Sequence, residues 1–354
     1  MRDPARDGDV RVTLLVPTMN RSEFVIRLLR YYAQFRFGGR IAIGDSSDAE
    51  HVGRTRAAIA ALRGTLDIAY AEYPRAGPGV CLQKLMEHAS TPYAATLPDD
   101  DFLIPASLER CARFLAEHPD YAAAHGAGVG VILDSNGLHG QVTECQYYPQ
   151  PVVEADTAAE RLDDHLGDYR VSMFSVHRVE TWRAMLRDVH LQEDASFSAE
   201  LLPCCLSVVH GKIKQLDGLY VVRQSHNRRY ELPTAFDWLT GAKWQPSYQV
   251  FLDGVSEALA ARDAIGIDVA RSVVKRAFQQ YLVLAMGVRR RWTGAPWTLA
   301  AARRAKRLLT RLKPKAGSEF ELSALLDPSS RYHADFMPVY RVLVTPPAEG
   351  APHR

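Results

Sequence analysis

A chain of 354 residues that is 47% hydrophobic and 24% charged can bury a large α/β core plus an accessory segment, and this composition excludes extended disorder. The formal net charge of +2 excludes the broad basic footprint of a nucleic-acid binder. Five cysteines (Cys81, Cys111, Cys145, Cys204 and Cys205) are an odd number without the C-x-x-C spacing of a zinc site, so they read as buried thiols in a reducing compartment.

The opening residues MRDPARDGDV carry no apolar signal region and read as a tail over 1–10. Val12 to Val16 is a short apolar run that Pro17 is expected to end, as in a buried parallel strand. Arg21 to Phe35 follows with Phe24, Leu28, Tyr31, Tyr32 and Phe35 at helical spacing. The alternation continues with a strand at Ile41 to Gly44, a helix at His51 to Leu62, a strand at Ile68 to Tyr73 and a helix at Val80 to His88. Tyr93 to Leu97 is a fourth strand, and Pro98 breaks it just before three aspartates. Pro105 sits where the next helix begins. Such alternation predicts βαβ units and a mostly parallel, doubly wound sheet, whose ligands bind outside the carboxyl ends of the strands.

The pattern changes after about residue 120. Tyr121 to Leu133 and Val142 to Val153 read as strands, with helices near Thr157 to Leu166 and Glu180 to Arg187. Lys212 to Arg223 reads as a strand pair turning at Asp217-Gly218. HGAGVGVIL, from His125 to Leu133, has a G-x-G-x-G look but lies within a strand-like run, which argues against a dinucleotide fingerprint. From about residue 234 the chain looks helical. No apolar run approaches the roughly 20 residues that span a bilayer, so a cytoplasmic protein is expected, soluble or peripheral to the inner face of the membrane.

Polar residues gather after three of the strands: Thr18, Asn20 and Arg21; then Asp45, Ser46 and Ser47; then Asp99, Asp100 and Asp101. Three consecutive carboxylates repel one another, and a hard divalent ion removes that cost while bridging a diphosphate. The bland alternative is a solvated turn ahead of Pro105.

VTLLVPTMNR, IAIGDSS, ATLPDDDF and QEDASF, in that order over roughly residues 10 to 230, resemble the signature of the inverting family 2 glycosyltransferases, which have the GT-A fold. The resemblance implies a GT-A domain over 11–230, with a nucleotide-binding half at 11–120 and an acceptor half at 121–230. A helical C-terminal subdomain at 231–345 and a disordered tail at 346–354 would follow. It implies a metal-dependent transfer of a sugar from a nucleoside diphosphate donor, a UDP-sugar foremost, to a hydroxyl of a glycan, lipid-linked or protein acceptor. Pro17, Thr18, Asn20, Arg21, Asp45, Lys84, Asp99 and Asp100 would line the nucleotide-sugar site, with Asp45 toward the base and Asp99 toward the nucleoside. Asp101 and His226 would hold Mn²⁺ or Mg²⁺. Ordinary surface roles compete for Arg21, Lys84 and His226.

The pair Glu193-Asp194 precedes a helix signal. The resemblance makes Asp194 the base that takes the acceptor's proton, with Glu193 and Glu200 as substitutes; a helix cap is the competing role. On this reading Asp101→Ala abolishes transfer and leaves the fold intact, and Asp194→Asn spares donor binding but removes turnover. Arg223, Arg228 and Arg229 near His226 would neutralise the leaving diphosphate or form a basic loop. The basic runs at Arg289-Arg290-Arg291 and Arg303 to Lys313, interleaved with Trp292 and Trp297, suit either an anionic membrane surface or a solvated helix face. Two other functions fit part of the pattern. A nucleotidyltransferase would need a glycine-rich loop where PTMNRSEF stands, and a GT-A-like protein without activity would bind nucleotide alone.

Overall fold

A computed structural model of the chain describes residues 9–135, 137–226, 233–286 and 318–346. Its first part alternates as the apolar spacing predicts: β1 (Val12–Thr18), α1 (Ser22–Gln34), β2 (Arg40–Asp45), α2 (Ala49–Ala61), β3 (Asp67–Glu72), α3 (Pro78–Leu85) and β4 (Tyr93–Thr96). These strands are parallel and lie in the order β3-β2-β1-β4. Side chains on successive strand residues point to opposite faces. Leu14, Val16, Ile41 and Ile43 therefore join one core, while Leu15 and Ala42 join the other. Pro17 does not end the first strand; it lies inside β1 opposite Gly44, and the pairing runs on to Thr18 and Asp45.

The sheet continues through β5 (Phe102–Leu103), α4 (Pro105–Glu117), β6 (Tyr121–Leu133), β7 (Val142–Tyr148), α5 (Ala158–Gly167), β8 (Val176–Arg178), α6 (Val179–Leu186), α7 (Leu202–His210) and β9 (Lys212–Ser225). Beyond β4 the order is β8-β6-β9-β5, with β7 on β6. The result is an α/β fold with a central sheet flanked by helices, parallel in its first half and mixed in its second. There β6 and β9 are parallel, whereas β5, β7 and β8 run antiparallel to their neighbours. At two and three residues, β5 and β8 are too short for periodicity to reveal.

Lys212 to Ser225 is one continuous strand of 14 residues, not a hairpin. Asp217-Gly218 forms an irregularity in the β6–β9 ladder, where Gln215 pairs with His125 and Leu219 already pairs with Ala127. Gly218 takes φ +101°, which a side chain disfavours. The glycines of β6 serve close packing: a Cβ on Gly128 would stand 2.6 Å from the Tyr148 carbonyl.

The C-terminal helices divide between the two faces. α8 (Ala235–Leu239), α9 (Trp244–Asp263) and α10 (Ile267–Ala285) join α5 and α7 in one core, where Phe197, Trp238, Phe251 and Phe278 meet. The helices Leu322–Leu326 and His333–Val344 cover the opposite face, with Phe320, Leu325, Phe336 and Leu343 packed among Val142, Cys145 and Leu219. All five cysteines are buried thiols. No helix of the described residues is long and apolar enough to cross a membrane. Arg228, Arg229, the basic runs from Arg289 to Lys313 and the tail from 347 lie outside the described residues.

Candidate active site

The ends of β1, β2 and β4 are tied together. The Ser46 amide donates to the Thr18 carbonyl at 2.9 Å, and the Thr18 hydroxyl donates to Asp99 Oδ2 at 2.6 Å. Asp45 is 1% exposed; its Oδ1 accepts from the Ser47 amide and its Oδ2 from the Tyr70 hydroxyl, both at 2.9 Å. Asn20, at φ +55°, donates its amide to Ser47 Oγ at 2.7 Å, and its side chain exchanges hydrogen bonds with Asp48. Pro17 lies in the strand beneath this edge. Lys84 is exposed on α3, with its ammonium 5.3 Å from the Tyr73 ring centre, and no contact joins it to the three aspartates.

Asp99, Asp100 and Asp101 are 0%, 3% and 0% exposed. Arg21 reaches Asp99 Oδ1 at 2.5 Å and Asp100 Oδ2 at 3.0 Å. Arg223 donates from Nε to Asp101 Oδ2 at 2.7 Å and from Nη1 to the Tyr148 hydroxyl at 2.8 Å. The Gln224 amide donates to Asp101 Oδ1 at 3.1 Å. Strand register explains this placement: β5 pairs with β9, Phe102 opposite Val222, so Asp101 falls beside Arg223 and Gln224. Arg27 is 3% exposed and lies between the rings of Phe24 and Phe102. Its guanidinium donates to the Asp100 carbonyl, Gln224 Oε1 and the Leu138 carbonyl at 3.1, 2.7 and 2.6 Å.

Burial pushes Asp99 up to about 7, against the opposing pull of Arg21. Burial likewise lowers Arg27 to about 10, although the three aspartates favour its charge. It works against the Arg223 guanidinium too, yet Asp101 and Tyr148 hold that group above the ordinary arginine value. Arg21, Arg27 and Arg223 supply compensating charge from within the fold. His226, expected to hold metal with Asp101, turns Nε2 to Asp100 Oδ2 at 3.0 Å and stacks on Phe24 at 4.9 Å between ring centres.

The donor chemistry still fits a hard cation. Carboxylate oxygens suit Mg²⁺ or Mn²⁺, and each has room for more than one partner. Among the described residues no three acidic, thiol or imidazole groups form a closed metal cluster. A cation here would draw on Asp101 and Asp100 and complete its shell with donor phosphates and water, as Mg²⁺ commonly does. With the arginines already in place, stripping divalent ions by EDTA in the absence of nucleotide is expected to shift Tm by less than about 2 °C, since little folding energy is tied to the metal. A shift of 5 °C or more in differential scanning calorimetry would show that the acids need the ion in order to fold.

In the second acidic segment Asp194 Oδ1 accepts from the Ser196 amide at 2.9 Å, the Phe197 amide at 3.2 Å and Trp238 Nε1 at 3.0 Å. Its own amide donates to Ser247 Oγ at 3.0 Å. None of these partners belongs to the acidic edge, and Glu193 is exposed. Glu200 lies on the π-helical turn Phe197–Leu201 and is within electrostatic reach of Arg223, the partner of Asp101. Sequence reading passed over Arg27, Gln224 and Tyr148. Only Arg27 left a signal: it stands in the apolar stripe of α1, between Phe24 and Tyr31, where an unpaired charge would not be tolerated.

No family model matches the chain, and no curated protein matches it. Among solved structures, TarS 1-349 from S. aureus in complex with UDP-GlcNAc is 16% identical over 77% of this chain and 88% of that one, with a TM-score of 0.44. The mannosyltransferase PcManGT from Pyrobaculum calidifontis in complex with GDP-Man and Mn²⁺ is 14% identical over 87% of this chain and 84% of that one, with a TM-score of 0.41. Overlap this loose leaves the chemistry to the chain's own residues.

Proposed function

We propose that this chain is a GT-A-type glycosyltransferase that moves a sugar, with inversion, from a nucleoside diphosphate donor to a hydroxyl acceptor. One observation carries the reading: β1, β2 and β4 bring Asp45 and the buried run Asp99 to Asp101 to one carboxyl edge, with arginines already set against the acids. That edge is where ligands of parallel α/β sheets bind. Asp45, held by Tyr70 and Ser47, would accept from the nucleobase. Thr18 and Asp99 face the nucleoside side, and Arg21 and Arg223 stand ready for phosphate. A divalent cation on Asp101 and Asp100 would neutralise charge on the departing diphosphate. The proton of the acceptor goes to a carboxylate of the second acidic segment, whose candidates are Asp194, Glu193 and Glu200.

The sequence resemblance favours UDP as the carrier, and a cytoplasmic location with peripheral membrane contact belongs to the same reading. The test is a thermal-shift panel of UDP- and GDP-sugars with and without Mn²⁺, followed by product analysis. The expected outcome is stabilisation by one donor, larger with metal, and release of nucleoside diphosphate. Release of pyrophosphate would assign the chain to nucleotidyl transfer instead, and binding without turnover to an inactive nucleotide binder.

A further inference from the structure

We propose that Tyr148 and Phe174 are positioning residues, which hold Arg223 so that one end of its guanidinium stays open to the diphosphate of the donor; this rests on the sugar-transfer reading above. Arg223 lies on β9 with its side chain 15% exposed. Its Nε donates to Asp101 Oδ2 at 2.7 Å and its Nη1 to the Tyr148 hydroxyl at 2.8 Å. Its Cζ lies 4.8 Å from the Tyr148 ring centre and 4.4 Å from that of Phe174. The guanidinium thus fills the corner between two rings whose centres are 6.5 Å apart. Nη2 is left without a partner among the described residues. The ion pair with Asp101 cancels most of the charge that Arg223 would show at a distance. What it can still give a phosphate is a directed, charge-assisted N–H bond. Such a bond depends on aim, and the aim depends on the groups that hold the guanidinium plane.

The glycines of β6, which match no nucleotide-binding loop, make room for this arrangement. Tyr148 ends β7 opposite Gly128. A Cβ on Gly128 would stand 2.9 Å from Tyr148 Cδ1, so the ring occupies space that only glycine leaves free. A Cβ on Gly126 would stand 3.0 Å from Tyr220 Cβ and 2.6 Å from the Gly218 carbonyl oxygen. Tyr220 is fully buried and donates its hydroxyl to the Phe174 carbonyl at 2.5 Å. That bond fixes the chain between α5 and β8 where the Phe174 ring meets Arg223. Two glycines therefore serve two tyrosines. One tyrosine touches Arg223 itself, and the other holds the second ring against it.

Tyr148→Phe keeps the ring and removes the hydroxyl, and Phe174→Leu removes the second ring. Full-length proteins carrying each change, Arg223→Lys, and each change combined with Arg223→Lys decide the matter. UDP affinity with Mn²⁺ would be measured by calorimetry, and kcat and KM from UDP release with UDP-glucose and UDP-N-acetylglucosamine as donors.

Arg223→Lys is expected to lower kcat by about 10²–10³, the scale for one preorganised donor at the reacting centre. Tyr148→Phe and Phe174→Leu should each lower kcat by about tenfold, through a misplaced guanidinium. KM and UDP affinity should change by less than about twofold, because the aimed N–H acts on charge that grows as the bond to the leaving group breaks. In the Arg223→Lys background either change should cost less than about twofold more, because the group it positions is gone. Unchanged kcat in either single variant, a loss seen only in KM, or a tenfold loss that persists in full with lysine at 223 would overturn the inference and leave sugar transfer standing. If wild-type protein neither binds UDP nor releases it from either donor, the transfer reading itself falls, and this inference with it.

Discussion

Arg27→Ala is expected to cost about 3–5 kcal/mol of folding stability, the penalty for breaking a buried ionic network by removing one member. Arg27 is 3% exposed, and its donors serve Gln224 Oε1 and the carbonyls of Leu138 and Asp100. Alanine strands all three acceptors and takes one cation from beside three buried carboxylates. It also empties the gap between Phe24 and Phe102, whose rings flank the guanidinium at 5.1 and 4.9 Å. Arg27→Lys keeps the charge but loses the planar fork, so an intermediate loss is expected. Equilibrium urea unfolding measures both, and a loss for Arg27→Ala below about 1 kcal/mol, the scale of a surface ion pair, would contradict the buried network.

The second large effect is on activity. Asp101→Asn should lower transfer by about 10²–10³, the usual loss when one preorganised electrostatic group at the reacting centre is removed. Asparagine preserves the volume and leaves Oδ1 to accept the Gln224 amide, while Arg223 keeps the Tyr148 hydroxyl. The fold should survive with a lowered urea midpoint, because the amide nitrogen replaces the oxygen that accepts from Arg223 Nε, as circular dichroism and urea unfolding would report. Alanine is a poorer probe. Asp101→Ala would leave the half-buried Arg223 beside an empty space without its carboxylate, so a loss of stability is expected to accompany the loss of transfer. Undiminished nucleotide release by a folded Asp101→Asn protein would remove Asp101 from the transfer step.

The strand signals from Val12 to Leu97, and the polar residues that follow them, were legible because each is a local pattern. Apolar runs punctuated by proline and glycine name an element without reference to distant residues. Asp45 and the three aspartates could thus be assigned to one edge from chain order alone. The second half was harder. β5 and β8 are shorter than the period that would reveal them, and Asp217-Gly218 looks like a hairpin turn although β9 runs straight through it. The hairpin failed because residues flanking a glycine at φ +101° can stay in one ladder when a long parallel partner, β6, holds them.

The sequence by itself determined the α/β alternation, the acidic edge and its polar neighbours, since neighbours along the chain write those features. Only the tertiary structure decided which cation meets which acid. Arg223 and Asp101 are 122 residues apart, and Arg27 and Gln224 are 197 apart. Their meeting depends on strand register: moving β5 by one residue along β9 would turn every side chain to the other face and separate Asp101 from Arg223.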